Sequence, residues 1–375
     1  MVVVISVSIL AVILTYFSSC SKYYRQLLFI TAFFLVTILQ VIHYDYGTDY
    51  MGYFTDHMFY SRNWKELLYL RQIGHGAFKD MGWVLIARLF PGKYGFFLLV
   101  GIVSIIQNYI YYKLIKDYVI RKDRWKAMAI YLFTTNLYVI NFSGIRQGFA
   151  VALCVWAILL ASKDKLWFAV AITLLATGIH VSALVFLPFL FLSKLDLKRG
   201  RLYAVTFFVV AMALYLSSTL LGGIYAKIMG FFPLLSRNYG HYIKTMSSTG
   251  EPLGFGFLLN SVMYIIIIYF IYKKFEEFTK EQRIFLLLIG VSFWLIPFST
   301  HISGIISRLS TYFTVFEIVA VPLVYSKIRN NVVRMGVGII FAFMMMFSYY
   351  KFFFVNQWSS ESYATFKTIF SAILE

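Results

Sequence analysis

Long apolar runs separated by short polar segments set the pattern of this chain. Stretches near residues 2–17, 27–43, 94–112, 127–141, 146–162, 166–179, 181–192, 202–219, 254–272, 284–299, 308–325 and 335–352 carry almost no charge. A hydrocarbon core about 30 Å thick needs roughly 20 apolar residues of helix, and most of these runs approach that length. The pattern predicts an all-α polytopic membrane protein of about 10–12 transmembrane helices, a single integral membrane domain over residues 1–375. The two runs that meet at Gly178-Ile179-His180 are short and read as a broken or tilted hairpin.

Composition agrees with lipid as the main solvent. Of the 375 residues, 61% are hydrophobic and 13% charged, and the mean hydropathy is +0.76. A soluble domain carries about 45–50% apolar and about 25% charged residues, so soluble and disordered chains are both excluded. The 39 Phe and 29 Tyr suit wide membrane–water interfaces, where a tyrosine places its polar tip in water. Two cysteines, Cys20 and Cys154, are too few for a disulfide framework or a thiolate metal site. No phosphate-cradling glycine motif occurs, so ATP-driven and dinucleotide chemistry is not expected, and no cofactor or metal is implied.

The net charge of +18 changes meaning once its location is considered. Segments 18–26, 113–126, 163–165, 193–201, 273–283 and 326–334 alternate with the spans and hold 21 of the 34 Lys and Arg residues. Placing them in the cytoplasm satisfies the positive-inside rule, so the charge is explained by topology and not by nucleic acid. The chain then starts outside, with a retained first span and not a cleaved signal peptide. Three long outer segments result, at 44–93, 220–253 and 353–375. Within the first, 56–73 and 77–90 space apolar residues at helical intervals and predict amphipathic helices lying on the membrane surface or capping an outer-face cavity.

Candidate chemistry lies on the same face. The run Val41-Ile42-His43-Tyr44-Asp45-Tyr46-Gly47-Thr48-Asp49-Tyr50-Met51-Gly52-Tyr53 interleaves acids with aromatics. Aromatic faces stack on sugar rings and carboxylates accept sugar hydroxyls, although an interfacial aromatic belt with solvated acids has the same pattern. Ser143-Gly144-Ile145-Arg146-Gln147 and Ser303-Gly304-Ile305-Ile306-Ser307-Arg308 each precede an inward-running span. Each arginine therefore marks a helix N-terminus, whose free N–H groups with a guanidinium fit a phosphate or pyrophosphate; the alternative is an arginine that merely snorkels to the interface. His180 stands where one span ends outside and the next begins, placed either as a base or as a histidine bonded to a backbone carbonyl. Arg237 and His301 are further outer candidates that the sequence cannot separate from ordinary loop residues.

In order, Gly47-Thr48-Asp49-Tyr50, Ile145-Arg146-Gln147-Gly148-Phe149-Ala150, Gly178-Ile179-His180-Val181-Ser182-Ala183 and Arg308-Leu309-Ser310-Thr311-Tyr312-Phe313 resemble the EpsG family of Wzy-type polysaccharide polymerases. The resemblance implies a glycosyltransferase of the bacterial inner membrane. Such a protein joins undecaprenyl-pyrophosphate-linked oligosaccharide repeats on the periplasmic face, in O-antigen, capsule or exopolysaccharide synthesis. By position, Arg146 and Arg308 would bind the donor pyrophosphate, His180 would be the base or a pyrophosphate ligand, and Asp49 with Tyr50 would orient the acceptor. Asp45, Gln147, Tyr312, Arg237 and His301 join the expected substrate-binding set. A chain-length regulator is an implied partner. Some related enzymes space an arginine from a glycine in an RX10G pattern; here Ala157 and Val319 stand at those positions.

Two other classes share the span count. A lipid-linked oligosaccharide flippase or other secondary transporter should show matching halves, and beyond the two Ser-Gly-Ile steps none is seen. A polysaccharide acyltransferase would draw its donor from the cytoplasm, opposite the expected side of His180.

Overall fold

The computed structural model describes residues 1–60, 65–66, 80–134, 137–217, 255–299 and 303–374. The chain is an all-α polytopic membrane protein. Its first part comprises α1 (Val2–Cys20), α2 (Arg25–Ile42), α3 (Tyr50–Phe59), α4 (Met81–Ala87), α5 (Gly92–Tyr118), α6 (Arg124–Phe133), α7 (Ile145–Ala161) and α8 (Leu166–Ile179). After a long 3-10 helix (Val181–Lys194) come α9 (Gly200–Leu216), α10 (Phe255–Lys274), α11 (Lys280–Ser299), α12 (Ser303–Thr314), α13 (Glu317–Ser326) and α14 (Asn331–Tyr350). Among the described residues, α1, α2, α5, α10 and α14 are each long and apolar enough to cross a membrane. The helices α12 and α13, bent by 41° where they meet, make a sixth span if counted as one, and α7, α8, α9 and the 3-10 helix are shorter apolar helices.

Side-chain size sorts these helices into centre and rim. Along α7, Gly148, Ala150, Ala152, Cys154, Ala157 and Ala161 are buried, and this run of small residues lets α5, α8, α12 and the 3-10 helix pack closely around it. The short helix α13 is equally enclosed, from Glu317 through Val324. By contrast, α14 exposes Val332, Met335, Ile339 and Met346, and α1 exposes Val2, Ile9, Leu10 and Phe17. Such surfaces would drive association in water; on spanning helices they face acyl chains.

The hairpin expected at 166–192 is formed from two unlike helices. Fourteen residues of α-helix in α8 rise only about 21 Å. The fourteen of the 3-10 helix, at about 2.0 Å each, rise about 28 Å, so the same number of residues covers almost the full hydrocarbon thickness.

The first of the two amphipathic helices begins earlier than its periodicity indicated, and of the second, expected over 77–90, the described part is α4 at Met81–Ala87. Instead of 56–73, α3 starts at Tyr50, directly after Asp49, whose negative charge suits a helix N-terminus. Its apolar face does not simply lie on a membrane surface: Tyr50 and Phe54 meet Phe96 edge to face and Phe54 stacks on Phe97, all at ring distances of 5.3–6.0 Å. Residues 67–79 and the whole 220–253 segment lie outside the described residues, with Arg237 in the latter; His301 lies outside them too.

The C-terminal tail folds back onto this end of the bundle. Strand β1 (His43–Tyr44) pairs antiparallel with β2 (Lys367–Thr368), His43 opposite Thr368. The Gly47 amide donates to Ser362 O at 3.0 Å, and Lys367 Nζ donates to Asp45 Oδ2 at 2.7 Å. At the opposite, basic end, guanidiniums close helix ends: Arg121 donates to Ser19 O and Ser21 O, Arg124 to Lys116 O, and Arg283 to Leu197 O and Phe275 O.

Candidate functional site

The helix α7 starts after a tight 3-10 turn, Val139–Phe142, followed by Ser143 and Gly144. Ser143 ties this turn to the first outer loop: its Oγ accepts the Asp49 amide at 2.8 Å and lies 3.1 Å from Thr48 Oγ1. Gly47 makes the approach possible. Its φ of +114° favours glycine, and a Cβ there would lie 2.5 Å from Ser143 Cβ. Asp49 and Arg146 are thereby brought to one cavity of about 430 Å³, lined also by Tyr53, Gln147, His180 and Arg308.

The two arginines occupy unlike settings. Arg146, in the first turn of α7, is largely buried; its Nη1 lies 3.2 Å from Asp80 Oδ2 and its guanidinium sits 4.6 Å from the centre of the Tyr53 ring. Among the described residues, neither its Nε nor its Nη1 has a hydrogen-bonded acceptor. With Nη1 already beside the Asp80 carboxylate, the buried Nε–H at the helix N-terminus is the donor that an anion would complete. Arg308, in the middle of α12, is exposed. The two segments are joined where Gln147 Nε2 donates to Arg308 O at 3.0 Å.

His180 is the link between α8 and the 3-10 helix, in extended conformation, and its amide closes α8 on Ala176 O. Its Nδ1 lies 2.6 Å from Ser182 Oγ, which is 3.0 Å from the Tyr312 hydroxyl. With the hydrogen on Nδ1 donated to Ser182, Nε2 keeps the lone pair that a base requires. Burial first, and then the positive charges of Arg146 and Arg308, push the imidazole down from the ordinary histidine range to about 3. It is therefore neutral at neutral pH.

Matching the EpsG family model, residues 2–368 cover nearly the whole chain. The protein belongs to the EpsG family. Membership points in general terms to polysaccharide polymerisation. No curated protein and no solved structure matches the chain.

In this EpsG-family protein, the positions singled out by sequence fall into two groups. Asp49, Arg146, Gln147, His180 and Arg308 all line the cavity. Tyr50, Asp45 and Tyr312 do not. Tyr50 is fully buried with its hydroxyl on His43 O, a consequence of its place on the inward face of α3. Asp45, with φ of +46°, turns away to pair with Lys367, and Tyr312 is buried behind Ser182.

Asp56 and Asp80 were not singled out by sequence reading, and Tyr53 only as the last aromatic of the acid–aromatic run. Asp56 and Tyr53 line the cavity because they sit one turn apart on α3. Asp80, directly before Met81-Gly82 and a short apolar helix, had only the helix-heading position of an acid as a signal. Among the described residues no group of His, Cys, Asp and Glu is placed to hold a metal.

Proposed function

We propose that this protein is a polysaccharide polymerase that joins undecaprenyl-pyrophosphate-linked oligosaccharide repeats on the periplasmic face of the bacterial inner membrane. The observation that carries the reading is the convergence of two guanidiniums and a neutral histidine, from distant segments, on one cavity that also holds carboxylates. Family membership supports the same reading.

In the reaction, an acceptor hydroxyl oxygen bonds to the donor's anomeric carbon while the bond from that carbon to the pyrophosphate oxygen breaks. Arg146, Arg308 and the α7 N-terminus bind the pyrophosphate and stabilise its charge as it leaves. His180 Nε2 takes the hydroxyl proton, and Asp49 orients the acceptor through its hydroxyls. A pyrophosphate on the guanidiniums offsets the charges that add to burial in depressing His180, so donor binding raises the imidazole's basicity in part. The partners are the donor and acceptor glycolipids, whose tails stay in the bilayer, and a chain-length regulator.

Deleting the gene in its host and resolving the surface glycan by size tests the proposal. Collapse from a ladder to lipid carrying one repeat is expected. Loss of all surface repeats, with lipid-linked repeats retained on the cytoplasmic face, would indicate a flippase instead.

A further inference from the structure

Asp80 lies outside both arginine steps and outside the histidine step, yet it touches two of the three. Its side chain is 7% exposed. One oxygen, Oδ1, accepts the Val181 amide at 3.1 Å; the other, Oδ2, lies 3.2 Å from Arg146 Nη1. A buried carboxylate is costly unless its oxygens are paired, and here the two oxygens face two different parts of the site. Val181 directly follows His180, so the amide that Asp80 holds fixes the end of the turn carrying the imidazole.

Backbone packing supports the carboxylate. Two residues after Asp80, Gly82 crosses α8 at Gly178, so closely that a Cβ on Gly82 would lie 2.7 Å from the Gly178 backbone. Both glycines sit two positions from the groups they place, Gly82 from Asp80 and Gly178 from His180. With its plane against Tyr53 and one edge against Asp80, the Arg146 guanidinium has little freedom to rotate.

We propose that Asp80 is a positioning residue of this site. A single carboxylate holds the guanidinium that meets the leaving group and, through the Val181 amide, the histidine that meets the attacking hydroxyl, and so fixes the distance between them. The inference rests on the polymerase reading given above. It adds a fixed relation between the leaving-group side and the base side that neither arginine step provides alone.

Asp80→Asn is the informative change, because the amide oxygen still accepts from Val181 while the charge facing Arg146 is gone. Extension of the host's own radiolabelled lipid-linked repeats is measured with purified full-length protein in bilayer vesicles. Misalignment without loss of the guanidinium lowers kcat by about 10-fold to about 100-fold while the donor KM moves less than about threefold. Asp80→Glu, which keeps the charge, recovers part of the rate. In an Arg146→Gln background, Asp80→Asn lowers the residual rate by less than about threefold, since the group it positions is absent. An equal loss in both backgrounds, or full kcat in Asp80→Asn while Arg146→Gln is inactive, overturns the role of Asp80 alone. Full activity in Arg146→Gln overturns the assignment of the site itself, and the inference with it.

Discussion

Gln147 donates from Nε2 to the backbone oxygen of Arg308 at 3.0 Å, joining two helix segments 161 residues apart in sequence. The bond runs to main chain, so it sets where α12 stands relative to the start of α7 without occupying either guanidinium. The spacing of the two positive charges across the cavity is held in part by this one amide.

Removing that amide loosens the spacing and leaves both arginines in place. A neutral hydrogen bond contributes about 0.5–1.5 kcal/mol, so Gln147→Ala lowers chain extension by about 2-fold to about 12-fold. Accumulation in the membrane stays at the wild-type level. Glycan length on a gel, beside an immunoblot of membranes, checks both.

Loss of either arginine is expected to reduce polymerisation to a small residual rate, with different effects on stability. Arg146→Ala removes the cation 3.2 Å from the buried Asp80 carboxylate, and breaking a buried pair costs about 3–5 kcal/mol. Arg308 is exposed, and its removal leaves stability unchanged. Thermal unfolding in detergent should show a lowered Tm for Arg146→Ala only. Adding Asp80→Asn to Arg146→Ala should restore much of it without restoring activity.

The pH dependence of the reaction separates free from donor-bound protein. Protonation of His180 removes the base, and in the free protein burial and the two arginines hold that protonation down to about 3. The acid limb of kcat/KM therefore lies well below the ordinary histidine range, and this parameter stays flat as pH falls through about 6.5. Bound pyrophosphate offsets the arginines, so the limb of kcat lies higher than that of kcat/KM. A kcat/KM limb at the ordinary histidine position would show that His180 is not the base.

A methyl group tests the crossing beneath the site. Gly82→Ala forces α4 away from Gly178 and shifts Asp80; a displacement approaching 1 Å costs about 100-fold in rate. Gly336→Ala, on α14 with open space around the added carbon, serves as the matched control and leaves extension unchanged. Equal activity of the two variants would mean that α4 moves without consequence for the cavity.

Sequence alone revealed the features that depend on local pattern. The spans follow from hydropathy, and the two arginines and the histidine from charges at the ends of apolar runs. Asp80 was obscure because its partners, Arg146 and Val181, are brought to it by the packing of α4 on α8, which no local pattern encodes. The position of Tyr50 was hidden for a similar reason: it stands beside an acid in sequence, and only the placing of helix α3 puts it onto His43 and Phe96. The stretched 3-10 helix after His180 was equally hidden, since its composition fits a short α-helix.

The pairing of residues 43–47 with 362–368 also imposes an order on the making of the protein. Lys367 reaches Asp45 across 322 residues, which at roughly 5–20 residues per second take some tens of seconds to synthesise. By the end of that interval the segments carrying Arg146, His180 and Arg308 have been synthesised, and the strand that braces the Asp45–Asp49 loop comes after all of them. The nascent chain thus holds a cavity with its carboxylate loop unclasped, and it closes that loop only after the last long helix has been made.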